Sequence, residues 1–303
     1  MTPISKPAKT RLQIAKRDIF RQFEQLPGKV LRQRDVSRIL DENRESWRLT
    51  QGTTFQAFTH FLLTSTKLSK VTFPFPKPYA RETRFIWGDV DLREVMLTLK
   101  PNCHFSHYSA MQLHGLTEQV PKTTYINFEQ QLASNPTGEL AQKNIDAAFR
   151  RPVRTTKYIA ETDQFRVCIL NGKNTGYLGV EEIDHRPAGG GRKFKIRLTG
   201  IERTLIDVAV RPVYSGGVFE VFKAYRLARE TVSVNKLAAM LQKLRFIYPY
   251  HQVIGYYLER SGYRSTQIDL LRRFPMEFDF YLEHNMKQTE YVKAWRLYVP
   301  KGF

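Results

Sequence analysis

Cysteine is nearly absent. Cys103 and Cys168 are the only two, far apart and in no CxxC arrangement. That scarcity excludes a disulfide framework and a cysteine-based zinc knuckle, and two reduced thiols are the expectation. Long apolar runs are missing as well: nothing approaches the roughly 20 residues that span a bilayer. The opening MTPISKPAKTRL also lacks the apolar centre of a signal peptide. A soluble, cytoplasmic chain without a membrane partner is therefore expected. Negative charge is the third shortage. Against 48 Lys and Arg stand 29 Asp and Glu, a formal charge of +19, and such an excess attracts polyanions, with nucleic acid first among them. Apolar residues at 42% and aromatics at 13% still suffice for folded cores. The chain's 303 residues can form two domains or one large one.

The positive charge is concentrated early. Through Trp87 there are 17 basic and 7 acidic residues, or +10, whereas the remaining 216 residues carry 31 and 22, or +9. This third has its own organisation. IAKRDIFRQFEQLPG puts Ile19, Phe23 and Leu26 on one helical face and stops at Pro27-Gly28. LRQRDVSRILDENR turns Val36, Ile39 and Leu40 inward, and TTFQAFTHFLLTS repeats the pattern with Phe55, Phe58 and Leu62. KVTFPFPKPYARETRFIWG then predicts two strands, near Val71–Phe73 and Thr83–Trp87, around a basic, proline-rich tip.

Three helices and a hairpin are the element order of a winged helix, expected over residues 12–88. In that arrangement the third helix meets the major groove and the hairpin reaches neighbouring phosphates. Thr53, Gln56, Thr59 and His60 are the expected base contacts. Arg32, Arg34, Lys77, Arg81 and Arg84 are the expected phosphate contacts. The same elements also suit a generic small domain with a solvated basic surface, or a winged helix that joins proteins. Lys6, Lys9 and Arg11 form a basic lead that reads as a flexible arm or a frayed terminus.

GDVDLREVMLTLKPN reads as a linker, and after it HFSHYSAMQLHGLTEQVP brings three histidines into a short stretch. Ser106 is a plausible helix cap, and Gly115 ends the run. His107 and His114 are seven apart on roughly one face, whereas His104 precedes the helix. No pair at i, i+4 flanks a glutamate as a metalloprotease requires, so Ser106, His107 and His114 are expected to be structural and no metal or cofactor is expected.

TTYINF, FRVCIL, GYLGVEEID and FKIRL predict strands. The triple glycine in HRPAGGGRK lacks the G-K-[ST] ending of a phosphate loop and reads as a basic turn. LTGIERTLIDVAVRP predicts a helix in which Thr199 and Glu202 form a capping box and Ile201, Leu205 and Val208 are buried. Within it Arg203 pairs with Asp207 at i, i+4, and Pro212 ends the run. Glu202 and Asp207 face different directions, which argues against a carboxylate dyad, so all four polar residues are expected to be structural and none catalytic.

These two stretches carry a resemblance. FSHYSAMQLHGLTEQVP, with Ser109-Ala110 and His114-Gly115-Leu116, and LTGIERTLIDVAVRP, with Glu202-Arg203-Thr204-Leu205 and Asp207, resemble the AbiEi family of antitoxins from type IV abortive-infection toxin-antitoxin systems. SGGVFEVFKAY, VNKLAAMLQKL and VIGYYLERSG extend the likeness over most of the chain in order. The resemblance implies an α/β (α+β) chain: an amino-terminal winged helix-turn-helix domain followed by a larger mixed α/β antitoxin domain over 89–303. It also implies binding to double-stranded operator DNA upstream of the chain's own gene, with repression of that operon. The implied functional partner is a nucleotidyltransferase-like toxin, which need not form a stable complex. The long wing FPFPKPYARE and the aromatic third helix TTFQAFTHF depart from the simpler pattern of such domains.

The last third predicts helical support. Leu237, Met240, Leu241 and Leu244 share a face, two helices flank Gly262 with Ser265 as a cap, and FDFYLEHNMKQTEYVKAWRLYVP suggests two closing strands. Asp279, Glu283 and Glu290 with Lys293 raise a metal-dependent nuclease as the alternative, although they lack a compact D…ExK spacing. A basic adaptor that binds protein is the third reading.

Overall fold

Helix α1 (Arg11–Glu24) begins where Thr10 and Gln13 satisfy each other's backbone: the Thr10 hydroxyl accepts from Gln13 N–H at 3.3 Å, and Gln13 Oε1 accepts from Thr10 N–H at 2.9 Å. Its Ile19 and Phe23 are fully buried, and it ends just ahead of Pro27-Gly28. Strand β1 (Val30–Leu31) leads into α2 (Gln33–Asn43), where Asp35 reaches back to accept from the Arg32 N–H at 2.8 Å. Val36, Ile39 and Leu40 are its buried stripe, as the periodicity predicts. Helix α3 (Phe55–Ser65) is capped by the Thr54 hydroxyl, which accepts from Ala57 N–H at 3.1 Å. Strands β2 (Leu68–Phe73) and β3 (Glu82–Trp87) follow, then α4 (Leu92–Met96).

The computed structural model describes residues 10–131, 140–187 and 190–303. Lys6 and Lys9 of the basic lead and Gly189 of the triple glycine lie outside the described residues. The architecture is mixed α+β. The chain divides into two units, Met1–Leu99 with Arg186–Phe194, and Lys100–His185 with Lys195–Phe303. In the first, a three-stranded antiparallel sheet has the order β1-β3-β2, with Val30 opposite Ile86 and Leu68 opposite Trp87. Its core is aromatic: Phe23 and Trp87 meet at 4.8 Å, and Trp47 stacks on Phe58 at 5.8 Å. Each such buried ring contributes roughly 1.5–3 kcal/mol relative to its exposed state.

Two expectations about this unit change. The stretch after Gly88 is not a linker, because α4 buries Val95 and Met96 and the unit continues to Leu99. The basic turn Arg186–Phe194 also joins this unit: Arg192 Nη2 lies 2.7 Å from both carboxylate oxygens of Glu94 on α4. The boundary expected at 88/89 is therefore too early.

The second unit holds a mixed sheet. Its strands are β4 (His104–Phe105), β5 (Thr124–Glu129), β6 (Ile159–Glu161), β7 (Arg166–Gly172), β8 (Val180–His185) and β9 (Phe194–Thr199), in the order β6-β7-β5-β4-β9-β8. β5 runs parallel to β7 and β4 parallel to β9, while β4–β5 and β6–β7 are antiparallel. Helices α5 (His107–Leu113) and α6 (Gln142–Phe149) lie between these strands in the chain. After them come α7 (Ile201–Val210), α8 (Val218–Leu227), α9 (Val234–Leu244), α10 (Tyr250–Arg260) and α11 (Ser265–Arg272).

Leu205, Val208, Val221, Leu237, Tyr257 and Leu271 belong to one continuous core. Leu237, Met240, Leu241 and Leu244 are all buried, as their spacing predicts. α11 is opened by Arg264, whose N–H donates to Gln267 Oε1 at 3.1 Å, so Ser265 is its first turn and not its cap. The closing segment forms three short strands where two were expected: β10 (Phe280–Tyr281), β11 (Thr289–Val292) and β12 (Leu297–Pro300), in the order β10-β12-β11.

Candidate nucleic-acid interface

The outward side of α3 is polar and small. Gln56, Ala57, His60 and Thr64 are exposed, while Phe58, Phe61 and Leu62 hold the helix to its core. Thr59 is a correction: only 7% exposed, it turns its hydroxyl back onto the Phe55 carbonyl at 2.8 Å and so cannot meet a base. Thr53 lies half-buried in the loop ahead of α3, its hydroxyl 3.2 Å from that of Thr50. Arg44 fixes this loop by donating from Nη1 to the carbonyls of Thr50 (2.9 Å) and Thr53 (3.1 Å) and from Nη2 to Asp41 (3.1 Å). Sequence reading missed Arg44; its position just past the end of α2, where a cation can satisfy free carbonyls, is the signal.

The five expected phosphate contacts divide in two. Arg34 is exposed, with only a loose pairing to Asp35 at 3.9 Å. Lys77 and Arg81 are exposed in the loop joining β2 to β3. Neither makes an ion pair among the described residues, and the same holds for Lys70 on β2, a further exposed cation that the sequence did not single out. Arg84 is a correction. At 2% exposure it lies within the fold, donating to Thr98 Oγ1 (2.9 Å), the Thr98 carbonyl (2.9 Å), Glu82 (3.0 Å) and the Thr83 carbonyl (2.9 Å). Arg32 is half-buried and spends Nη2 on that same Thr98 carbonyl at 3.1 Å. These two arginines brace the sheet and the start of α2 against the segment after α4, which leaves Arg34, Lys77 and Arg81 of the five exposed, with Lys70 a further exposed cation. Lys67 pairs with Glu24 and holds that carboxyl below the usual range; it also lies 5.3 Å from the Phe20 ring.

The histidine stretch lies in the second unit, and its rings have separate partners. His104 Nε2 is 3.4 Å from Asn127 Nδ2, His107 Nδ1 is 3.0 Å from Ser106 Oγ, and His114 Nε2 is 2.7 Å from the Thr199 carbonyl. Ser106 precedes α5 as expected, but its hydroxyl serves His107 and not the helix backbone. Among the described residues no three His, Cys, Asp or Glu side chains group as a metal site would need. The carboxylates of the nuclease alternative form no such group either. Asp279 accepts from Tyr291 (2.7 Å) and Arg296 (2.9 Å), while Glu290 is exposed on β11.

α7 is capped by Gly200, which corrects the expected capping box. The Thr199 hydroxyl instead lies 2.8 Å from that of Thr204, and Glu202 accepts from Ser233 N–H at 3.1 Å and pairs with Lys236 at 2.8 Å. Arg203 and Asp207 do pair, at 2.8 Å, and both are buried. Arg203 also donates to Thr175 Oγ1 (3.2 Å) and to the Leu178 carbonyl, and Thr175 in turn bonds Glu129. Burial opposes ionisation of Glu129, but hydrogen bonds from Thr175 and Tyr177 outweigh it and hold the carboxyl below its ordinary range.

Burial pushes His104 and His107 down to about 4, so both rings are neutral at pH 7. Their folded pKa lies below the roughly 6.5 of an unfolded histidine. The unfolded chain therefore binds protons that the folded chain does not as pH falls through this window, and stability declines with it. Urea unfolding at pH 7, 6 and 5 is expected to show a falling midpoint, with a shallower fall for His107→Gln. A midpoint unchanged from pH 7 to 5 would contradict the burial of neutral rings.

No helix of the described residues is long and apolar enough to cross a membrane. No protein-family model matches the chain, and neither does any curated protein. Among solved structures, the chain is similar to the crystal structure of the Rv2827c protein from Mycobacterium tuberculosis, with a TM-score of 0.56 and 13% identity over 94% of this chain and 91% of that one. At that identity the likeness concerns the fold, and it spans both units described above.

Proposed function

We propose that the chain is a cytoplasmic DNA-binding antitoxin of the AbiEi type, which represses its own operon and counteracts a nucleotidyltransferase-like toxin encoded beside it. In this reading the first unit is a winged helix. α3 enters the major groove with Gln56 and His60 toward base edges, and the β2–β3 hairpin is the wing. One observation carries the reading: a single small unit combines an exposed, arginine-free polar helix face with cations on the adjoining hairpin, Lys70, Lys77 and Arg81, that make no ion pair among the described residues. Gln can bond adenine in two places, and the cations supply the sequence-independent attraction. The second unit contributes the antitoxin function by resemblance, with no stable complex required.

The lack of a metal-binding group among the described residues weighs against the nuclease alternative. The test is duplex from directly upstream of the chain's own gene. Binding without divalent metal, and no cleavage on adding magnesium, are expected. Cleavage would reinstate the nuclease reading, and failure to bind any duplex would favour the protein-binding adaptor.

A further inference from the structure

The second unit contains a cleft of about 370 Å³ where the end of α9, the start of α10 and the segment after α11 meet. Its walls are aromatic: Phe246, Tyr248, Tyr250 and Phe274 all line it. Two cations, Arg245 and Arg273, are exposed on the same lining, which holds no Asp or Glu. Neither arginine makes an ion pair among the described residues. His251 also lines the cleft. It is only 8% exposed, and its ring stacks on Phe274 at 5.2 Å and 16°. Its Nε2 is shielded from solvent, so the ring serves the cleft as part of its packed wall and not as an accessible polar atom.

An apolar wall with a few convergent polar groups is the common composition of a small-molecule site. The charges select further. A neutral apolar ligand would leave both guanidinium groups unused, whereas a bare inorganic anion would leave four aromatic walls wet. We propose that this cleft binds a small ligand combining a planar aromatic ring with an anionic group, the ring lying among Phe246, Tyr248 and Phe274 and the anion on Arg245 and Arg273. A nucleoside monophosphate and an aromatic carboxylate share that chemistry. The inference is independent of DNA binding by the first unit.

Calorimetric titration of the full chain with AMP, 4-hydroxybenzoate and inorganic phosphate tests it. At least one of the two aromatic anions is expected to bind at a single site, roughly tenfold or more tighter than phosphate, and their ranking identifies the source of the ring. Arg245→Gln with Arg273→Gln should weaken that binding by about tenfold or more, since each loses a charge-assisted bond. These two side chains are exposed, so folding is retained. The proposal is overturned if neither aromatic anion binds at millimolar concentration. It is equally overturned if phosphate binds as tightly, or if the double arginine variant leaves the affinity unchanged.

Discussion

Arg203→Ala is expected to destabilise the second unit by about 3–5 kcal/mol, the cost typical of removing one partner from a buried ion pair. The pair's side chains are only 6% and 10% exposed, and Asp207 Oδ2 has no hydrogen-bond partner even with Arg203 in place. Without the guanidinium, Asp207 would be a buried charge facing neutral histidines, and Thr175 and the Leu178 carbonyl would lose a donor. Replacing both members by apolar residues, Arg203→Met with Asp207→Leu, should recover much of the loss because no unpaired charge then remains. Denaturant unfolding followed by circular dichroism measures both. A single variant costing less than about 1 kcal/mol, or a double variant as unstable as the single, would mean that the pair is solvated.

Lys77→Ala with Arg81→Ala should weaken binding to preferred and unrelated duplex by similar factors. Each lost phosphate contact should flatten the logarithmic salt dependence by about one unit. Gln56→Ala should behave oppositely, costing roughly 1–3 kcal/mol against the preferred duplex, much less against unrelated DNA, and leaving the salt slope alone. The two effects separate because a base contact discriminates without releasing counterions, whereas a phosphate contact releases them without discriminating. Competition binding at several salt concentrations reads both quantities. Equal cognate-to-unrelated ratios and equal salt slopes for all variants and the parent would contradict the orientation assigned to α3 and the hairpin.

The helical periodicities were largely legible in the sequence. Val36, Ile39 and Leu40 lie inward on α2, Phe58 and Leu62 on α3, and Leu237, Met240, Leu241 and Leu244 on α9, because an apolar stripe at helical spacing has few other ways to be buried. Polar residues were harder to place. Thr59 falls on the buried side of α3 because its hydroxyl can bond the preceding turn, an option that a hydrophobicity pattern cannot register. Arg84 was assigned to solvent as a charge on a hairpin, yet Arg84 to Trp87 are buried in succession, so strand alternation gives no guide there. Its partner Thr98 belongs to a stretch that reads as linker because α4, at five residues, is too short for a periodic signal. β4, at two residues, escaped for the same reason. At α7 the Thr199–Glu202 spacing fits a capping box, but Gly200 caps the helix and both side chains serve tertiary contacts. The candidates Gln56, His60, Arg34, Lys77 and Arg81 are exposed, while the interior claims Thr59 and Arg84 and partly engages Arg32.

Footprinting of the purified full chain on DNA directly upstream of its own gene tests the central claim most directly. The account predicts a discrete protected segment without divalent metal, retained against excess unrelated duplex and lost from Gln56→Ala at concentrations where that variant still binds DNA nonspecifically. Uniform weak protection along the whole fragment, or protection that Gln56→Ala leaves intact, would contradict sequence reading by α3.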